Sequence, residues 1–409
     1  MHILLFILYS SLCAYGILKL PFFRNSGVRP GILLLLFGLH VLTGCLHNVI
    51  AWRYYPFHGD IWFYYENALD LTHKLHTDFH AFLYDNSTLD SFDHNSLAFV
   101  HMFLNLFSLQ NIYINTLLFS FPVFLGNTAL FRVFRQRFPE SPLTALSVYL
   151  LPSALFWTSC IHREGALYML LGFLLYGLDN RRTFLTACCF LLIVYFRFVV
   201  ALTLLPAILI ALQPRKKALL IGSAILLLTI LLAGPTILNT LAHRQQSFQT
   251  LEGHSRIFLP LLDGSLGNFL TTLPVALFNG WFQPLPGIGG QKIYMVFSLE
   301  LLTIWAIIGA AALRRLITPT PKPDSHGSKP DSHAPKLIGG NTRFSAACMV
   351  FALLGMLLIG LTIPFVGAIV RYRSIYLPFL LAPSLYCLCS LTPLRRVDRQ
   401  LGHWFFNKL

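Results

Sequence analysis

Long apolar runs alternate with short polar stretches along this chain. The runs cover residues 3–20, 31–51, 112–133, 142–160, 165–178, 183–196, 198–212, 217–238, 293–313, 345–370 and 375–392. About 20 apolar residues in helical form cross a bilayer, and shorter runs can cross upright or where the bilayer thins. The pattern predicts an all-α, polytopic integral membrane protein of about eleven transmembrane helices, with 1–409 as a single transmembrane domain. The first run lacks a basic leader and a small-residue cleavage site, so it is expected to be a first helix and not a removed signal peptide.

Two long connections break the alternation, 52–111 and 239–292, and loops of this length are usually functional or disordered. Both are rich in Phe, Tyr, Trp and Leu, which argues against disorder and for segments lying on the membrane surface. In the first, Ile61 to Lys74 and Leu97 to Leu109 are expected as interfacial helices. A third connection, 314–343, holds ITPTPKPDSHGSKPDSHAPKLIGG and repeats KPDSH. It reads as a flexible linker, with His326 and His333 as ordinary members of it.

Charge then orients the helices. The basic clusters are Lys19, Arg24 and Arg29; Arg132, Arg135 and Arg137; Arg181 and Arg182; Arg215, Lys216 and Lys217; Arg314 and Arg315; and Arg395, Arg396 and Arg399. They fall at alternate ends of the runs, as cytoplasmic loops do. The chain is then expected to start outside and end inside, with both long loops on the outer face. On the cytoplasmic side the acids are Glu140, Asp179, Asp324, Asp331 and Asp398, so carboxylates concentrate outside.

Composition agrees: 56% of residues are apolar and 11% charged, against roughly 25% charged in a soluble domain. The net charge of +14 is scattered as topology signals and forms no continuous stripe, which excludes nucleic acid as a partner. The eight cysteines show no zinc-site or disulfide spacing. Cys13, Cys45, Cys188, Cys189, Cys348, Cys387 and Cys389 read as small core residues, and Cys160 alone lies near a loop.

Against this background three polar groupings stand out. In YYPFHGDIWFYYENALDL, Asp60 follows a spanning run and sits among aromatic rings, with His58 and Glu66 close in sequence. Asp60 fits a helix N-cap in an aromatic belt, and equally a general base whose pKa partial burial would raise. In LPSALFWTSCIHREGALYMLLGF, His162, Arg163 and Glu164 occupy the shortest outer turn, where they could be a solvated hairpin tip or the floor of a cavity. In GAIVRYRSIYLPF, Arg371 and Arg373 lie outside against the positive-inside trend and suit a phosphate, the plain reading being snorkelling.

Arg197 in YFRFVV could join such a phosphate site or cap a helix. Glu300 lies within a spanning run and is functional by default on energetic grounds. LFNGWFQPLPGIGG, residues 277–290, could serve as a lid or as a re-entrant plug.

Taken together, these features resemble the GT-C superfamily of polytopic glycosyltransferases, which includes protein O-mannosyltransferases and lipid A aminoarabinose transferases. Asp60 matches the acid that opens the first large outer loop of that superfamily, and Glu164 matches the second acid, at the start of the helix after a very short outer loop. The match covers about residues 31–215 by pattern. One extra N-terminal helix, a single acid where many members have adjacent acids, and the lack of a soluble C-terminal domain are departures. PSALFWTSCIHRE is also similar to stretches in bacterial polysaccharide polymerases of the EpsG and Wzy groups.

The resemblance implies an inverting transfer of a sugar from a polyprenyl-phosphate or diphosphate carrier to a lipid, glycan or protein acceptor, at the outer face of a bacterial inner membrane. Asp60 would be the base and Glu164 its catalytic partner. His58, Glu66, His162, Arg163, Arg197, Arg371 and Arg373 would bind substrate and phosphate, and His162 with Glu164 would orient the acceptor or hold a divalent metal. No cofactor beyond such a divalent metal ion is implied, and membrane lipids are partners. A polysaccharide polymerase is the nearest alternative. A transporter or flippase of an anionic or lipid-linked substrate would relay protons through Asp60, Glu164 and Glu300, although no internal repeat supports it. A structural partner in envelope secretion would tolerate alanine at all of these positions.

Overall fold

Proline and glycine punctuation decides where the apolar runs become helices. In the computed structural model, which describes residues 1–55, 59–84, 96–138, 142–211, 234–251, 255–286, 292–317, 341–389 and 392–406, the secondary structure is helical apart from two isolated bridges. The helices are α1 (His2–Lys19), α2 (Pro21–Arg24), α3 (Pro30–Tyr54), α4 (Gly59–Thr77), α5 (Phe79–Tyr84), α6 (Ser96–Ser108), α7 (Ile112–Arg137), α8 (Pro142–Tyr149), α9 (Pro152–Thr158), α10 (Arg163–Asp179) and α11 (Thr183–Ala211). After α12, helical over 234–249, come α13 (Leu266–Phe282), α14 (Lys292–Ile317), α15 (Asn341–Thr362), α16 (Val366–Arg373), α17 (Leu377–Leu388) and α18 (Thr392–Phe405).

Among the described residues six helices are long and apolar enough to cross a membrane: α1, α3, α7, α11, and the stretches Tyr294–Ile317 of α14 and Thr342–Thr362 of α15. Their outer faces carry large apolar side chains, such as Leu4, Leu8 and Leu12 on α1 and Leu35, Leu42 and Leu46 on α3. Ranks of exposed leucine of this kind belong against lipid, since water would penalise them. The chain is therefore an all-α membrane protein.

Several expected runs are interrupted where the sequence carries proline. The run 142–160 divides into α8 and α9 at Leu151, because Pro152 drives the residue before it out of the helical region. The run 345–370 breaks at Pro364, and the freed backbone pairs with residues 255–257 instead: Ile257 N–H donates to Pro364 O at 2.8 Å and Val366 N–H to Ser255 O at 3.0 Å. Runs 183–196 and 198–212 form the one element α11, whose break falls at Arg197, non-helical at φ −161° and ψ 90°. The run 217–238 lies largely, and the linker histidines wholly, outside the described residues.

The chain forms two compact units. The first comprises Met1–Arg132, Ala154–Phe173 and Leu401–Leu409. Here α4 packs on α6 through Ala68, Leu71 and Ala98. A buried polar ladder continues from that contact: Asn105 Nδ2 donates to Thr72 Oγ1 at 3.1 Å, Asn115 Nδ2 to Asn105 Oδ1 at 2.7 Å, and, on α3, Asn48 Nδ2 to Thr116 Oγ1 at 2.9 Å. Hydrogen bonds of this kind between helices give buried amide N–H groups acceptors where water is scarce and so fix register. Gly126 of α7 and Gly172 of α10 let two backbones touch, since a Cβ on Gly172 would lie 2.0 Å from the Gly126 carbonyl oxygen.

The second unit comprises Val133–Ser153 and Leu174–Gln400. In it α15 packs against both α11 and α13, while α17 packs against α8, α14 and α15. Gly280 and Gly360 make another backbone-to-backbone approach, a Cβ on Gly360 falling 1.9 Å from Ala276 O. Arg137 and Asp179 form a buried ion pair, each side chain 4% exposed. They join the ends of two helices that the charge pattern assigns to one side of the membrane.

Candidate functional site

Asp60 and Glu164 each stand in the first turn of a helix, where a carboxylate is favoured by the unsatisfied N–H groups. Gly59 makes the entry to α4 with φ 69°, a left-handed conformation that a side chain would strain, and a Cβ there would press on the Tyr55 ring at 2.9 Å. From this entry α4 turns Ile61, Tyr64, Ala68, Leu71 and Thr72 inward. Asp60 and Glu66 stay on its exposed side, so the partial burial expected of Asp60 is not found. His58 lies outside the described residues.

The turn that carries Glu164 is pressed onto α3 and α7. Gly44 of α3 accommodates the Ser159 carbonyl, which a Cβ would meet at 2.3 Å, and Ser120 of α7 donates its hydroxyl to the same oxygen at 3.1 Å. The backbone then folds into α10, with Gly165 N–H donating to His162 O at 3.1 Å. Glu164 is fully buried, His162 is almost so, and Arg163 is half-buried. Ile61, Ala51 and Cys160 share one apolar cluster, flanked by Tyr55 and Trp62. The residue after Asp60 therefore shares an apolar cluster with the turn that leads into Glu164.

Beneath this contact lies a group that hydropathy concealed. His47 sits in the middle of α3, and its Nε2 faces Nε2 of His162 at 3.4 Å. Cys160 Sγ joins them: the ligating atoms of the three residues lie within 4.8 Å of one another, and all three side chains are buried. The Phe156 and Trp157 rings stand 4.3 Å and 5.0 Å from the His47 ring. His162 and Cys160 were legible as polar punctuation, whereas His47 was masked by an apolar run and only its contact reveals it.

In the second unit the arginines divide. Arg197, at the break in α11, places its guanidinium 3.8 Å from the Tyr372 ring centroid, and Arg371 lies 5.5 Å from the same centroid. Arg373 is buried, and its Nη1 donates to the carbonyls of Gly280 and Gln283 at the end of α13. That is the work of a helix C-terminal cation. Glu300 has its partner in Ser153, 147 positions away. Residues 277–286 of the expected lid are mostly helix: Trp281 Nε1 donates to Leu353 O at 3.3 Å and its carbonyl accepts from Trp305 Nε1 at 2.8 Å.

A cavity of about 450 Å³ lies where α1, α2 and α3 meet, lined by Arg24, Asn25 and apolar neighbours. Neither Asp60 nor Glu164 lines it, and the chemistry described above has no group there. No family model, no curated protein and no solved structure matches this chain.

Proposed function

We propose that this protein is a GT-C-type membrane glycosyltransferase, acting on a polyprenyl-phosphate or diphosphate sugar at the outer face of a bacterial inner membrane, with the chain crossing about eleven times. The observation that carries the reading is the apolar cluster that Ile61 shares with Ala51 and Cys160, which ties the start of the Asp60 helix to the turn bearing His162, Arg163 and Glu164. Two carboxylates distant in sequence thereby belong to the same compact unit.

An exposed Asp60 suits a base that must meet an incoming acceptor hydroxyl. In an inverting displacement the acceptor oxygen forms a bond to the anomeric carbon as the bond to the carrier phosphate breaks, and Asp60 takes the acceptor proton. The phosphate leaves with the bonding pair, so no strong general acid is demanded, and Arg163 is the cation of this region that would meet its charge. The buried Glu164 would hold the acceptor or the turn, with His162 beside it. Glu66 and His58 would assist at the rim.

Arg197 and Arg371, gathered on Tyr372, make an arginine pair of the kind that recognises a lipid phosphate. Arg373 is less suited to that role, since its Nη1 is committed to two carbonyls. A polysaccharide polymerase would use the same groups with a glycan acceptor. The reading is tested by reconstituting the full chain with polyprenyl-phosphate and polyprenyl-diphosphate sugars and following transfer of labelled sugar to lipid, glycan or peptide acceptors. Turnover with either carrier supports it, and absence of transfer from any of them contradicts it.

A further inference from the structure

We infer that His47, Cys160 and His162 form a transition-metal site for Zn²⁺, with two imidazole nitrogens and one thiolate as ligands. The inference goes beyond the glycosyl-transfer reading and does not depend on it.

The tautomer of His47 is the first argument. Its Nδ1 stands 3.2 Å from the Phe156 carbonyl, and a carbonyl oxygen can only accept, so Nδ1 carries the proton. In the neutral ring this leaves the lone pair on Nε2, the atom that faces His162 Nε2, with Cys160 Sγ in the same cluster. A backbone carbonyl that orients an imidazole by its far nitrogen is the usual outer partner of a metal-bound histidine.

Distance is the second argument. Tetrahedral zinc with Zn–N bonds of about 2.0–2.1 Å sets its nitrogens roughly 3.3–3.4 Å apart. The observed 3.4 Å between the two Nε2 atoms matches that spacing and is long for a direct hydrogen bond, which lies at about 2.7–3.2 Å. The sulfur lies within 4.8 Å of a ring nitrogen of each histidine, close enough for a small side-chain shift to bring it to a Zn–S bond of about 2.3 Å.

Donor chemistry is the third argument. Two imidazoles and a thiolate select zinc or another borderline-soft ion over magnesium or calcium, which take oxygen ligands. On binding, the Cys160 thiol gives up its proton to solvent while both imidazoles bind in neutral form. The bound ion would tie the turn 158–162 to the middle of α3, and three protein ligands leave a fourth position for water or another donor.

The test uses the full chain in detergent, stripped with a chelator and reloaded with Zn²⁺ or Co²⁺ alone. Wild type is expected to retain about one metal ion per chain after desalting. With Co²⁺ it should show visible d–d bands together with a near-ultraviolet thiolate-to-cobalt band. Cys160→Ser is expected to lose the thiolate band while keeping d–d absorption, and His47→Gln and His162→Gln to lower affinity by more than the roughly 10–100-fold that loss of an outer partner costs. Retention of metal by wild type no better than by both histidine variants, or a thiolate band that survives Cys160→Ser, would overturn the assignment. Because buried substitutions can unfold the chain, X-ray absorption on zinc-loaded wild type gives a second reading that needs no variant. One sulfur and two imidazole scatterers support the site, and a shell of oxygen alone contradicts it.

Discussion

The carboxylate of Glu300 accepts from both the backbone N–H and the hydroxyl of Ser153, at 3.1 to 3.2 Å, so an acid inside a spanning helix caps the N-terminal end of α9. The pairing joins α14 to a short helix that follows the proline break. It gives Glu300 a structural task that its position in the membrane alone would not specify.

Removing that carboxylate leaves buried donors at a helix end. A buried donor left without its partner costs about 1–3 kcal/mol, so Glu300→Ala should lower stability by roughly that amount. Ser153→Ala, which keeps the N–H donor, should cost less. Thermal unfolding of the purified variants in one detergent checks the order, and equal losses would indicate that the N–H contact contributes nothing.

The Arg137–Asp179 pair is buried on both sides. Breaking it by Asp179→Ala strands a buried guanidinium and should cost about 3–5 kcal/mol, whereas the double replacement Arg137→Met with Asp179→Leu should cost less than the single one. Denaturant or thermal unfolding of the three variants compares them directly.

At Gly172 the constraint is steric. A methyl there would overlap the Gly126 carbonyl, so Gly172→Ala must push α7 and α10 apart and should cost about 1–3 kcal/mol, with Gly172→Leu failing to fold. Size-exclusion behaviour and thermal unfolding distinguish the two.

Asp263 lies in the connection before α13, where hydrogen bonds from the Ser265 hydroxyl, and then from its N–H, hold its carboxyl below the usual range. A depressed folded-state value means that its contribution is complete above the ordinary carboxylate pKa and is lost as pH falls through the lower folded value. Protection of the Ser265 amide, its exchange measured against the intrinsic rate at each pH, should therefore fall as pH drops from the ordinary carboxylate range of about 4 through the lower folded value. In Asp263→Asn that acid-dependent step should vanish.

How far the sequence could be read depended on the range of each interaction. The six spanning helices and the break at Arg197 followed from local hydropathy and from a single polar residue, and the start of α4 followed from Gly59 and Asp60. Proline breaks at Leu151 and Pro364 are local too, but the hydropathy of their flanks hides them. Pairings such as Glu300 with Ser153, Arg373 with Gly280, and His47 with His162 join residues about a hundred positions apart, and no periodicity encodes them. The polar ladder of Asn48, Asn105 and Asn115 was invisible for the same reason: each amide looks like an isolated interruption until its partner is placed.

The central claim is that Asp60 and Glu164 serve one glycosyl transfer, and it is tested most directly by comparing single-turnover transfer from a radiolabelled polyprenyl-phosphate sugar by wild type, Asp60→Asn and Glu164→Gln in proteoliposomes. A base and its partner each contribute about 10²–10⁴-fold, so both variants should fold, bind the carrier and transfer at least 100-fold more slowly. Transfer by Asp60→Asn at the wild-type rate would contradict the account.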